Sequence, residues 1–190
     1  MEGEDEFFMD KLIVVRHSET EGQHEDSPLT KQGIRQAQTL AYFLDRAGHE
    51  VDRIISSPFL RAVETIKPYA RKKGLEVETD ERLEERVLSH EPLNDWEEVL
   101  HDTFQDPELK LSGGESSKEA KKRVLSLIEE LEQEDCGNVL LVTHGNLLAL
   151  LLQKYKREIG FYEWKRLTRP DVFLVQKFGG EYTVERIWED

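Results

Sequence analysis

The chain has 190 residues, of which 37% are apolar and 35% charged. That is enough for one domain with a buried core and too ordered in its patterning for a disordered tail. Its net charge of -14, from 26 basic against 40 acidic residues, argues against non-specific nucleic-acid binding and against docking to an anionic membrane. A single cysteine, Cys136, rules out a disulfide framework within the chain and points to a reducing, cytoplasmic setting, and no apolar run has the length of a membrane span.

Residues 1–10 are acidic, lack the basic-then-apolar layout of a signal peptide, and read as a short disordered leader, with Met9 as an alternative start. Residues 11–190 read as a single domain. Residues 11–15 form a β-branched apolar run, the pattern of a buried strand. Thr30 is placed to cap a helix carrying Ile34, Ala37, Ala41, Leu44 and Ala47 at helical spacing, closed by Gly48. A second short strand at 53–56 leads past Pro58 into a helix lined by Phe59, Val63, Ile66 and Ala70, and residues 75–79 alternate like a strand nearer the sheet edge.

The next stretch, through Gly114, is rich in Pro and Gly and holds one amphipathic piece with Trp96, Val99, Leu100 and Phe104. Its core at about 86–114 reads as a small insert or cap over the sheet. Ser116 and Glu119 have the spacing of a capping box ahead of a helix with Ala120, Val124, Ile128 and Leu131 on one face. Residues 138–143 are continuously apolar, as in a parallel strand buried on both sides, and 147–152 continue as an apolar helix. Two strands joined through Gly179-Gly180 form a terminal hairpin. Strands alternating with helices predict a three-layer α/β/α sandwich around a mostly parallel sheet.

Ligands bind at the carboxyl ends of strands in such sheets. The first strand ends in Arg16-His17-Ser18-Glu19-Thr20, the second in Ser56-Ser57-Pro58 with Arg61 one turn into the next helix, and the buried fourth in Thr143-His144-Gly145-Asn146. Two arginines offer forked donors that match phosphate oxygens. A neutral imidazole attacks phosphorus once its other nitrogen is held by a hydrogen bond, and a second, protonated imidazole stabilises charge on the equatorial oxygens. No Walker lysine loop and no Gly-x-Gly-x-x-Gly occurs, so no nucleotide cofactor is indicated, and no histidine pair has a metal-ligand spacing.

These residues resemble the histidine phosphatase superfamily, which includes the cofactor-dependent phosphoglycerate mutases. Arg16-His17-Ser18-Glu19-Thr20 is similar to its Arg-His-Gly-Glu-Thr/Ser signature. Pro28-Leu29-Thr30 with Gly33 and Gln36-Ala37, Ser56-Ser57-Pro58 with Arg61-Ala62 and Thr65, Leu83 with Glu85, Gly114-Glu115-Ser116, and Thr143-His144-Gly145-Asn146 follow in the family's order. The resemblance implies a phosphoglycerate mutase-like fold and a metal-free, cofactor-free phosphomonoesterase acting on small molecules. His17 would be the nucleophile, and Arg16, Arg61 and His144 the phosphate pocket. Glu85 would be the proton donor and then the base, and Gly145 a backbone N–H donor. Glu85 is chosen by motif position among Glu81, Glu84, Glu85 and Glu91.

The chain departs from the pattern in places. Serine replaces glycine at position 18, at a cost of roughly 1 kcal/mol if the backbone there is strained. Gln23 stands for the family's phosphate-binding asparagine, and Arg169-Pro170-Asp171 replaces small polar residues before the last strands. The acidic insert would repel highly anionic substrates unless Lys110, Lys118 or Arg86 faces inward. A phosphoglycerate mutase and a phosphate-binding protein without turnover are the alternatives, and oligomeric state is open.

Overall fold

The computed structural model describes Met9, residues 11–134 and residues 136–189; most of the expected leader lies outside the described residues. Met9 itself is buried and packs into the core. The chain runs β1 (Lys11–Arg16), α1 (Lys31–Arg46), β2 (Arg53–Ser56), α2 (Leu60–Lys73), β3 (Val77–Thr79), a 3-10 turn (Glu81–Leu83), α3 (Trp96–Gln105), α4 (Ser117–Gln133), β4 (Val139–Thr143), α5 (Gly145–Leu152), α6 (Phe161–Lys165), β5 (Asp171–Phe178) and β6 (Glu181–Arg186).

The six strands form one sheet in the order β3-β2-β4-β1-β5-β6. The first four are parallel; β5 runs antiparallel to β1 and β6 antiparallel to β5, so the terminal hairpin extends the sheet. Alternation along β1 sends Ile13 and Val15 to the face covered by Leu40, Ala41 and Leu44 of α1 and Ala62, Ile66 and Tyr69 of α2. It sends Leu12 and Val14 to the other face, under Val124, Ile128 and Leu131 of α4 and the wholly buried α5. These are the three layers that the strand–helix alternation predicts.

Local signals set the helix ends. The Thr30 hydroxyl accepts from Gly33 N, and Ser116 and Glu119 form the reciprocal capping box that the sequence announces. The expected edge strand is shorter than read, beginning at Val77 because Leu75 N is still bonded to Ala70 O at the end of α2. Helix α6 is an addition to the elements read from sequence; five residues are too few to show a period. The insert is fastened rather than loose. Buried Arg86 donates to Glu115 O, Thr103 Oγ1 and Ser117 Oγ, and α3 meets α6 through Trp96 against Trp164 at 6.1 Å and Phe104 against Phe161 at 6.3 Å. Among the described residues no helix is long and apolar enough to cross a membrane.

Candidate active site

Parallel register brings the three motif-bearing strand ends to one level. Arg16 pairs with Thr143 across β1 and β4, and Ser56 with Val142 across β2 and β4. One residue further on, His17 N donates to Thr143 O (3.1 Å) and Ser57 N to Val142 O (2.9 Å). His17 and His144 thus face each other with ring centroids 5.0 Å apart. Both imidazoles, Arg61 and Arg16 are buried.

The His17 ring is oriented by its Nδ1, 2.7 Å from Ser18 O. A carbonyl can only accept, so Nδ1 carries the proton and Nε2 keeps its lone pair. Burial, reinforced by Arg61, Arg16 and Arg169, lowers the His17 pKa from its ordinary 6.5 to about 3 against the opposing Ser18 bond. His17 is therefore a neutral imidazole at any ordinary pH. His144 Nε2 lies 2.8 Å from Ser57 Oγ. Burial, then His17, Arg61 and Arg16, pushes the His144 pKa well below its ordinary value. The protonated second imidazole expected from sequence is thus disfavoured in the unliganded site, first because it is buried and then because cationic Arg61 and Arg16 lie close by.

Each arginine is anchored at one nitrogen and open at another. Arg16 Nη1 donates to Leu167 O (3.1 Å), while its Nε is buried without a partner among the described residues. Arg61 Nη1 donates to His24 O (3.0 Å) and Gln23 O (3.2 Å), packs under the Phe59 ring, and likewise keeps a buried, unpartnered Nε. Burial and Arg169 bring the Arg16 pKa down to about 10, partly offset by Glu85 and Asp171. Burial lowers that of Arg61 too. Both stay cationic at neutral pH. His144 Nδ1 is another buried atom without a partner among the described residues. Buried donors left open in one place are costly unless an anion satisfies them, and this set of donors and cations fits a phosphoryl group.

The loop that carries His17 is clamped from two helices. Ser18 N donates to Thr65 Oγ1 (2.8 Å), and Thr65 Oγ1 donates to Arg61 O (2.7 Å), which couples the His17 loop to the helix that carries Arg61. Glu19 N donates to Gln36 Oε1 on α1 (2.8 Å). Ser18 carries no backbone strain, since among the described residues only glycines have positive φ. Gly145 is required by close approach: a Cβ there would lie 2.8 Å from Arg16 Nη2 and 2.9 Å from Cζ.

Glu85 reaches the site from the loop after the 3-10 turn. Its Oε2 accepts from Asn146 N (3.0 Å) and its Oε1 from Leu147 N (2.9 Å) and Arg86 N (2.8 Å). The carboxylate sits on the positive end of α5, near enough to Arg16 and Arg61 to favour their charged forms. Gln23 enters differently from the expectation. It is exposed on the wall of a cleft shared with Arg61 and Glu85, and its carbonyl accepts from Arg61 Nη1 (3.2 Å), so the hydrogen bond it makes at the site comes from the backbone. The residue that sequence reading passed over is Arg169. Strand β5 pairs antiparallel with β1 so that Asp171 lies opposite Arg16, which lands the loop before β5 at the same sheet end as His17. The departure at 169–171 was visible, but its place in space needed the β1–β5 register. Among the described residues no three His, Cys, Asp or Glu side chains gather to hold a metal ion.

Comparison with known proteins agrees with this geometry. A profile of the family described as "Histidine phosphatase superfamily (branch 1)" matches residues 12–181. The chain is 35% identical over 159 residues to "Probable phosphoglycerate mutase GpmB" of Proteus mirabilis, covering 75% of this chain and 73% of that one. It is 33% identical over 160 residues to "Putative phosphoserine phosphatase 2" of Hydrogenobacter thermophilus, covering 76% and 77%. The solved structure of Bacillus stearothermophilus YhfR superposes with a TM-score of 0.75 at 26% identity, over 93% of this chain and 96% of that one. With its motif order, sheet order and facing histidines accounted for, the chain belongs to branch 1 of the histidine phosphatase superfamily.

Proposed function

We propose that the chain hydrolyses small phosphomonoesters through a phosphohistidine at His17, without a metal or cofactor. The observation that carries this reading is the tautomer of His17, held by Ser18 O so that Nε2 keeps its lone pair, beside a His144 ring 5.0 Å away and among Arg16 and Arg61, whose Nε atoms are buried without a partner among the described residues. In the first step Nε2 attacks phosphorus in line. The N–P bond forms, the ester P–O bond breaks, and Glu85 in its protonated form gives its proton to the leaving alcohol oxygen. In the second step Glu85 takes a proton from water, the water oxygen attacks phosphorus, and the N–P bond breaks. Arg16, Arg61 and His144 hold the equatorial oxygens throughout, and His144 gains basicity from the adjacent phosphate charge. An incoming phosphate also competes for the α5 N-terminal N–H groups that hold Glu85, which frees the carboxyl to turn toward the leaving oxygen.

Hydrolysis is favoured over mutase chemistry by the short insert, which leaves the pocket accessible to water. The mutase reading draws its support from the name of the Proteus relative, the hydrolase reading from that of the Hydrogenobacter relative. The lone cysteine and acidic surface fit a cytoplasmic enzyme of small-molecule metabolism rather than one working on nucleic acid or membranes. Hydrolysis of an aryl phosphate in EDTA tests the reading. Wild type should turn over and trap an acid-labile, base-stable phosphoenzyme on rapid quench, while His17→Ala should lose at least about a thousandfold in kcat, as removal of a covalent nucleophile does. Turnover that survives in His17→Ala would refute the assignment.

A further inference from the structure

Beside the phosphoryl pocket lies a cleft of about 490 Å³ whose walls include Arg16, Glu19, Trp96, Glu97, Lys165 and Arg169. Its size is that of a small-metabolite site. The charges in it are not equivalent. Glu97 is paired with Lys165 across the α3–α6 contact, and Glu19 accepts from the Thr30 hydroxyl. Arg169 alone among these charged walls is an exposed cation that forms neither an ion pair nor a side-chain hydrogen bond with the described residues, apart from Arg16, which belongs to the phosphoryl pocket. Its charge is felt inside that pocket, where it opposes protonation of His17 and of Arg16. The lysines and arginine of the insert do not offer the same service. Lys110 is paired with Glu119, Lys118 with Glu108, and Arg86 is consumed in tying the insert together.

We propose that Arg169 is a specificity-determining residue, which binds a carboxylate carried by the leaving group of the monoester whose phosphate occupies the Arg16–Arg61–His144 pocket. The inference rests on the phosphoryl-pocket reading and adds to it the class of substrate. A single negative charge matches one unpaired guanidinium, and a planar carboxylate matches its fork. A second phosphate is disfavoured, because Glu19, which forms no ion pair with the described residues, lines the same cleft and would meet a dianion with like charge. The face of Trp96, half exposed at the cleft wall, covers the carbon skeleton between the two anions. Charge specificity on this account comes from the loop before β5, while the insert contributes the apolar wall at Trp96.

The test compares 3-phosphoglycerate with glycerol 3-phosphate, which differ in a carboxylate against a hydroxymethyl group. Wild type should favour 3-phosphoglycerate by at least tenfold in kcat/KM. In Arg169→Gln that ratio should fall toward one, chiefly through KM, and Arg169→Lys should recover part of it. A general structural fault would lower both substrates together and leave the ratio alone. The same ratio is read as binding by calorimetry in His17→Ala with and without Arg169→Gln, so it is decided even if wild type turns out to hydrolyse no monoester, a result that would instead overturn the hydrolase reading. An unchanged ratio in Arg169→Gln, or no wild-type preference, would overturn the role of Arg169. A larger preference for fructose 1,6-bisphosphate over fructose 6-phosphate would overturn the carboxylate.

Discussion

His17 and His144 are kept neutral by burial, and the same physics makes the unliganded protein sensitive to acid. The unfolded chain binds a proton at each histidine as pH falls through about 6.5, while the folded chain binds none at His17 until about pH 3. The unfolded state therefore holds more protons throughout that window, and unfolding free energy falls as pH falls. The slope reaches up to about 1.4 kcal/mol per pH unit for each such histidine. Urea unfolding between pH 7 and pH 4 should show this loss, and His17→Asn should make the slope shallower. An identical slope in the variant would mean that His17 is not held neutral. The low-pH limb of activity, by the same reasoning, does not come from His17, which stays a free base well below pH 5.

Strands and helices fix the site by where they end. Parallel register sets Arg16 opposite Thr143 and Ser56 opposite Val142, so β1, β4 and β2 end within a residue of one level, and His17, Ser57 and His144 each follow directly on a strand end. This much was legible in the sequence, since short β-branched runs, caps and the order of motifs are local signals. The residues that hold the loops were less so. Thr65 and Gln36 were visible only as motif letters, and their bonds to Ser18 N and Glu19 N depend on how α1 and α2 pack. Gly33 makes the point at the scale of one helix. A Cβ there would drive into Glu19 O, so α1 lies on the loop after His17 with no room for a methyl group. Gly33→Ala gains helix propensity of about 1 kcal/mol yet must push the helix off the loop, an overpacking cost of about 1–3 kcal/mol. The expected result is a protein that is no more stable and has a lower kcat, measured by urea unfolding and aryl phosphate turnover. A more stable variant with full activity would mean that α1 does not hold the loop.

At the scale of the whole molecule an acidic protein brings three arginines, Arg16, Arg61 and Arg169, to one sheet end. The net charge of -14 was legible. Composition is blind to the local inversion of sign, because Arg16, Arg61 and Arg169 come from three separate segments and meet only through the mixed sheet, with β5 turned antiparallel to place the third. The folded state thus carries a stored repulsion among two buried arginines, a nearby third and two histidines that cannot protonate. An anion that enters this pocket relieves the repulsion and binds only the folded chain, so it must stabilise folding by mass action. Inorganic phosphate at a hundred times its dissociation constant should add about 2.7 kcal/mol, which is about 5–10 °C in Tm for a chain of this size. Sodium chloride at the same ionic strength should do much less, since screening acts on the exposed acidic surface and reaches buried charges weakly. Arg61→Ala should abolish most of the phosphate effect, because Arg61 supplies one of the two buried guanidinium groups. If phosphate and chloride raised Tm equally in wild type, the stabilisation would be relief of surface repulsion, and the strand ends would not form an anion site.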